Sequence, residues 1–464
     1  MNTLYLPELR EMIAAGDAPG LREFTEAINA TRAAEFMEGL TAEDSWKVLL
    51  HADPERRVEV FAYFDEHKQA DLVTQVARSE DVDAISQLVA DLPADDRVDL
   101  LNQLDDELVE ELLPRMAQED RRETLRLRGF PEGTAGSVMT TEVGRLSIGM
   151  SVSEALSFMS DHAEELETIY TSYVVDEENR LLGMVATRQL IAHYNQPNQP
   201  IAELMQRDVV TARAMDDQES VADKVAAYDL LAIPVVDDDR RLLGIITHDD
   251  ILDVLRAEAT EDALLAAGMA PLDHGYLRSH WFTLACNRGM WLSVLFVAAL
   301  LTALALRGYE EEFQKASWLV LFIPLVISSG GNSGSQSATL VIRGLTDGQV
   351  ALRDWGRVLR RELLMGLTLG AALATVGYFS AYALTRTTSE AEPAPTALEV
   401  AVVPITLLLV VVCGTVCGGA LPLLFQRLGV DPALMSNPFV AGIIDIAGIV
   451  IYMTVAMAMI VGLG

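Results

Sequence analysis

Asp445 lies in an otherwise uncharged stretch of the chain, PALMSNPFVAGIIDIAGIVIYMTVAMAMIVGLG, residues 432–464. A carboxylate in a segment long and apolar enough to cross a bilayer costs a few kcal/mol or more unless it faces water or a partner. No Lys or Arg lies inside any of the long apolar stretches to pair with it. The chemistry this implies is an ion path rather than a structural salt bridge. Counting back by four and eight residues reaches Ala441 and Asn437, one and two turns along the same helix face. An amide, a small residue and a carboxylate in one stripe read as the wall of a pore. Pro438 can bend the helix beside it, and Asp431 stands at the mouth, where Pro432 suits a helix start.

The elements that must position this stripe are legible as five stretches near the ~20 residues a spanning helix needs: 289–306, 316–342, 363–385, 400–426 and 432–464. Between them, 343–362 carries Arg343, Arg353, Arg357, Arg360 and Arg361, whereas 307–315 and 386–399 are mostly acidic. The bias of basic loops toward the cytoplasm puts 343–362 inside, so the N-terminus is expected inside and the C-terminus outside. The second span ends in PLVISSGGNSGSQSATLVIRGL (324–345), where Gly330, Gly331, Asn332, Gly334 and Gln336 sit at membrane depth. Lipid cannot satisfy irregular backbone, so a broken or closely packed helix is expected there, facing the bundle interior or its cytoplasmic rim. Helix packing through small residues is the alternative reading of each position.

Charge divides the chain in two. The net charge is -34, and residues 1–270 hold 56 acidic against 23 basic side chains. Such an excess repels nucleic acid and concentrates small cations. A surface that only confers solubility, or answers a saline habitat, is the alternative. No secretory leader pattern opens the chain, and Cys286, Cys413 and Cys417 all lie in the apolar half, so the acidic half is expected in the cytoplasm without disulfides.

Residues 138–256 contain an internal repeat. TSYVVDEENRLLGMVATRQLI and LAIPVVDDDRRLLGIITHDDIL align at an offset of 61, each reading as strand, acidic turn, strand, helix. Two such units resemble a tandem CBS module, a regulatory domain whose family commonly binds adenine nucleotides. That resemblance implies a ribose-binding pattern at Gly244, Thr247 and Asp250. The first repeat departs from it, with Ala186 and Gln189 at the equivalent positions. A CBS pair used only as a dimer interface remains open.

Residues 1–130 read as helical throughout, with apolar side chains at three- and four-residue spacing, as in VDLLNQLDDELVEELLPRM. RRVEVF at 56–61 parallels DRVDLL at 96–101, aligning Glu59 with Asp99, and Asp95 and Asp96 open the later helix. Acids there favour the helix dipole or bind metal. The stretch 248–270 is expected to be an acidic amphipathic helix linking the soluble half to the first span, with Asp250, Asp253, Glu258, Glu261 and Asp262 along it.

The order of these parts, with GGNSGSQSATLVIRGL, LGVDPALMSNPFVAGIIDIAGIVIY and VLRAEATED, closely resembles the bacterial MgtE magnesium channel family. The resemblance implies a multidomain membrane protein: an all-α N domain (1–130), an α/β tandem CBS module (138–256), a connecting plug helix (248–270) and a five-helix transmembrane domain (271–464). It implies an inner-membrane homodimer with a pore between the two copies. Asp445 would form the central Mg2+ site above Ala441 and Asn437, and Asp431 would meet the plug helix. Regulatory Mg2+ would be held by Glu59, Asp95, Asp99, Asp229, Asp250, Asp253, Glu258, Glu261 and Asp262. ATP at the CBS module and passage of Co2+, Ni2+ or Mn2+ are further expectations.

Two other readings stay open. One is a secondary transporter that exchanges a divalent ion for H+ or Na+. The other is a nucleotide-sensing membrane receptor that conducts nothing, against which Asp445 argues. An enzyme is not expected, since no nucleophile–base pair, P-loop or dinucleotide fingerprint occurs, and His248, His274 and His280 lack metal-ligand spacing.

Overall fold

The computed structural model describes residues 5–78, 81–270, 276, 279–387, 395–430 and 437–460. It divides into two compact units, Met1–Arg256 and Ala257–Gly464.

The first unit opens with ten short helices: α1 (Leu6–Ala15), α2 (Ala18–Ala27), α3 (Ala30–Met37), α4 (Ala42–Leu49), α5 (Pro54–Ala62), α6 (Glu66–Arg78), α7 (Val82–Ala90), α8 (Ala94–Asn102), α9 (Asp106–Leu112) and α10 (Gln118–Leu127). Their apolar positions interlock around fully buried Leu49, Phe61, Leu72, Val89 and Leu101. The parallel between α5 and α8 has a physical basis. Arg57 Nε donates to the Leu49 carbonyl and Arg97 Nη2 to the Leu92 carbonyl, so each arginine satisfies carbonyls at or beyond the end of a preceding helix.

Two three-stranded sheets follow, β1 (Arg145–Ser147), β2 (Thr171–Val175) and β3 (Leu181–Ala186), then β4 (Ala212–Arg213), β5 (Ala232–Val236) and β6 (Leu242–Thr247). In each, the first pair is parallel and the second antiparallel. Helices α11 (Val152–Asp161), α12 (Thr187–Ala192) and α13 (Gln218–Ala227) pack beside them. The offset of 61 holds in three dimensions. Asn179 and Arg240 both take left-handed backbone, and Asp176 and Asp237 each accept from two backbone N–H groups of their turn. The acids of these turns are therefore turn caps. Ala94, Val98 and Leu127 share one buried cluster with Ile233, Val235, Ile246 and Ile251, which seats α8 on the second repeat.

Helix α14 (His248–Ala266) follows directly from β6. The second unit holds five long helices: α15 (Trp281–Arg307), α17 (Ile323–Thr346), α18 (Trp355–Thr387), α20 (Val402–Arg427) and α21 (Asn437–Met459), with short α16 (Glu310–Lys315) and α19 (Ala397–Val400) between them. Four of the five are long and apolar enough to cross a membrane among the described residues, and α17 is the one that falls short in hydropathy. Its glycines and serines explain this. Of the two expected forms, broken or closely packed, α17 takes the second. It is one continuous helix because close packing takes the place of irregular backbone: the Gly330 carbonyl lies against Gly414 of α20 and the Gly334 carbonyl against Gly418, where a Cβ has no room.

Candidate ion path and acidic recess

In the second unit, the two helices that face each other across the stripe are α17 and α21. Gly331 of α17 sits against Ala441 and Asp445, with a Cβ built on Gly331 only 3.5 Å from Asp445 Oδ1. One turn on, Ser335 Oγ donates to the Asn437 backbone carbonyl at 3.0 Å, and Thr339 Oγ1 donates to Asn437 Oδ1 at 3.0 Å. The amide, the small residue and the carboxylate of α21 therefore share one face and meet the small-polar face of α17. Asp445 makes no ion pair among the described residues. Gly330, Gly331 and Gly334 are buried as expected, but Asn332 and Gln336 are exposed in the single chain. The glycines take the positions packed closest against α20, which leaves these two amides accessible beside them. Asp431 and Pro432 lie outside the described residues.

The first unit gathers carboxylates where α8 meets the start of α14. Asp95 is 8% exposed, and its Oδ1 is buried without a hydrogen-bond partner. Burial, with the charges of Asp250, Asp96 and Glu167, holds its carboxyl well above the usual range. Asp96 and Asp99 are exposed by surface area, and the surrounding protein together with like charges pushes them to about 6 and about 7. Burial, joined by like charge, also raises Glu142 and Glu167 to about 7. Asp250 is raised by burial, against a hydrogen bond from Thr247 that lowers it. This is a store of repulsion that a cation would relieve. No three acidic, histidine or cysteine side chains converge tightly enough to hold a metal ion among the described residues. The carboxylates thus form no preformed chelate, and Asp95 Oδ1 is the buried carboxylate oxygen left without a partner among the described residues.

The structure brings Asp95, Asp99 and Asp250 together from the expected metal set. Glu59 is elsewhere, in an ion pair with Arg56 at 2.5 Å. Asp229 is exposed on left-handed backbone after α13, and Asp253 is exposed and paired with Arg256 at 2.9 Å. Glu258, Glu261 and Asp262 continue along α14 in the second unit. Glu142 and Glu167 were not expected in the recess. They come from loops of the first repeat, joined by a Glu167 N–H to Glu142 carbonyl bond of 2.9 Å, and no linear spacing signals them.

At the ribose pattern, Asp250 Oδ2 accepts from the Thr247 hydroxyl at 2.5 Å and from its N–H at 3.3 Å, capping α14. Gln189 does the same for Ala186 at 3.1 Å in the first repeat. Gly244 has its own reason: the Thr140 carbonyl passes too close for any side chain.

A helical acidic array, a paired α/β repeat and a bundle of apolar helices with a carboxylate on a polar stripe define a multi-pass membrane protein with an acidic first half. The family model described as divalent cation transporter MgtE matches residues 323–455, that of the MgtE intracellular N domain matches 28–133, and the CBS domain model matches 135–195 and 201–257. The magnesium transporter MgtE of Thermus thermophilus is 40% identical over 336 residues, covering 72% of each chain. That of Enterococcus faecalis is 33% identical over 343 residues, covering 73% of this chain and 72% of its own. A crystal structure of the soluble part of a magnesium transporter, 31% identical, aligns with a TM-score of 0.51 over 55% of this chain and 97% of that one. The chain belongs to the MgtE family.

Proposed function

We propose that the protein is an inner-membrane Mg2+ channel that admits Mg2+ along the Asn437, Ala441 and Asp445 face and closes when Mg2+ accumulates on its soluble half. The observation that carries this reading is the contact of Asp445 and Ala441 with Gly331, continued by the hydroxyls that hold Asn437. Family membership and the naming of the Thermus relative as a magnesium transporter support it.

Mg2+ dehydrates reluctantly and prefers octahedral oxygen coordination. Two copies of the chain, each giving one Asp445, would grip the hydrated ion through its waters, with Asp431 at the cytoplasmic mouth. Charge and a diameter fitted to the hydrated ion would disfavour monovalent competitors, while Co2+, Ni2+ and Mn2+ share the charge. The arginines of 343–361 support an N-terminus inside and a C-terminus outside.

Residues 1–130 and 138–256 act as the sensor, 248–270 as the link and 271–464 as the pore in this reading. With little cytoplasmic Mg2+, the carboxylates of the recess repel. Mg2+ held by Asp95, Asp99 and Asp250 relieves that repulsion, and the further acids Glu59, Asp229, Asp253, Glu258, Glu261 and Asp262 extend the effect across the dimer. A ligand shifts such an equilibrium only by binding the closed state more tightly, which carboxylates brought together by closure supply. ATP at Gly244, Thr247 and Asp250 would have to take over the cap of α14. Divalent flux in liposomes for the wild type beside Asp445→Asn tests the central claim. Flux is expected to vanish in the variant, and equal Mg2+ flux in both would remove it.

A further inference from the structure

Helix α17 has a second polar face, turned away from Asp445 and toward α18 and α20. It borders a cavity of about 600 Å3 lined by Ser333, Gln336, Ser337, Glu362 and Thr415 among others. Glu362 is 8% exposed, and its Oε2 accepts from the Ser337 hydroxyl at 2.6 Å. Thr415 donates to the Glu362 backbone carbonyl at 3.0 Å, and Gly419 leaves room for the glutamate stem. Beyond that one hydroxyl, the carboxylate has no hydrogen-bond or ion-pair partner among the described residues. Ser333 Oγ, on the same wall, is buried and unpartnered. Asp354, Arg357 and Arg361 also line the cavity, with Arg357 paired to Asp354 at 2.9 Å.

A buried carboxylate with no direct ion pair is costly, and an orphaned hydroxyl on the same wall adds a lost hydrogen bond. One ligand removes both costs, namely a cation that takes Glu362 as its charged donor and the neutral oxygens of Ser333, Ser337 and Gln336 as the rest. With Asp354 paired to Arg357 and Arg361 also on the lining, a divalent ion would leave more excess positive charge in a low-dielectric wall than a monovalent one. We propose that this cavity is a binding site for a small hard monovalent cation, Na+ being the probe, separate from the Asp445 path and on the opposite face of the same helix.

The test uses the full-length protein in detergent, with thermal unfolding followed at constant ionic strength in NaCl or N-methylglucamine chloride, at pH 6 and pH 8. Na+ is expected to raise the unfolding temperature of the wild type and of Asp445→Asn, and to have no effect on Glu362→Gln. Ser333→Ala removes one neutral donor without touching the carboxylate. It is expected to be as stable as the wild type in N-methylglucamine while needing roughly tenfold more Na+ for the same shift, which keeps the test open should Glu362→Gln not fold. Absence of a Na+ effect in the wild type overturns the proposal. So does an equal effect in Glu362→Gln, an unchanged Na+ requirement in Ser333→Ala, or stabilisation that follows acidification alone, which would make the cavity a protonation site only. Because Asp445→Asn keeps the response, failure here and failure of the conduction reading are separable.

Discussion

Thr339 Oγ1 lies 3.0 Å from Asn437 Oδ1 and 2.9 Å from the Ser335 carbonyl, so one hydroxyl ties the amide at the first turn of α21 to the backbone of α17. Ser335 secures the backbone of the same residue. The polar face of α17 therefore sets the orientation of a group that α21 carries.

Replacing Thr339 with Val keeps the shape and removes that hold. Mg2+ flux in liposomes is expected to fall roughly fivefold, the size of one hydrogen bond, with cytoplasmic Mg2+ closing the variant at the wild-type concentration. Unchanged flux would mean that the amide is held by something other than Thr339.

Gly418→Ala places a methyl group against the Gly334 carbonyl. Overpacking of this kind costs about 1–3 kcal/mol, and here the obstacle is backbone that cannot turn aside. The variant is expected to unfold at a distinctly lower temperature in detergent. Gly289→Ala, where nothing lies within 4 Å, should match the wild type.

The recess makes a pH prediction. Asp96 at about 6 and Asp99, Glu142 and Glu167 at about 7 all lie above the unfolded carboxylate range near ~4. Between those limits the folded state holds more protons than the unfolded one, so stability falls as pH rises across the window and is lost in full above about 7. With the intrinsic pH dependence of amide exchange divided out, the protection of residues 94–102 in the full-length protein should rise on going from pH 8 to pH 5.5. Added Mg2+ should raise it at pH 8 and matter less at pH 5.5, where protons already occupy the carboxylates. An Mg2+ effect that grew with acidification would contradict the competition.

Gly244→Ala separates packing from nucleotide recognition. With the Thr140 carbonyl against it, the alanine variant is expected to lose thermal stability whether or not ATP is present. Thr247→Ala should keep the fold of β6 and weaken only the cap of α14. A Gly244→Ala protein as stable as the wild type would return the glycine to a ligand role.

Much of this was written locally. The offset of 61 places β2 on β5, β3 on β6 and the left-handed Asn179 on Arg240, because each repeat closes its own turn with its own aspartate. The stripe of α21 follows from helical spacing alone. Other features depend on partners distant in the chain. Glu142 and Glu167 reach the recess through loops, and their role is visible only once α8 has settled on the second repeat. Glu362 falls at the edge of an arginine-rich connector and reads as a loop charge. The helix α18 begins at Trp355 and carries it inside, where Ser337, 25 residues earlier, meets it. Hydropathy also undervalues α17, since its small residues are measured against lipid while its actual neighbour is the backbone of α20.

The contact between Gly334 and Gly414 and Gly418 has a mechanical consequence. Where glycine meets glycine, no side chain can repack to let α17 slide past α20, so in the proposed channel the pair would act as a stator. Movement during the proposed gating would then fall on α21 and on α15, whose residues are all partly or fully accessible in the single chain. A covalent tether between α17 and α20 should leave conduction untouched, whereas one that ties α21 to α17 should lock the protein in whichever state it was trapped.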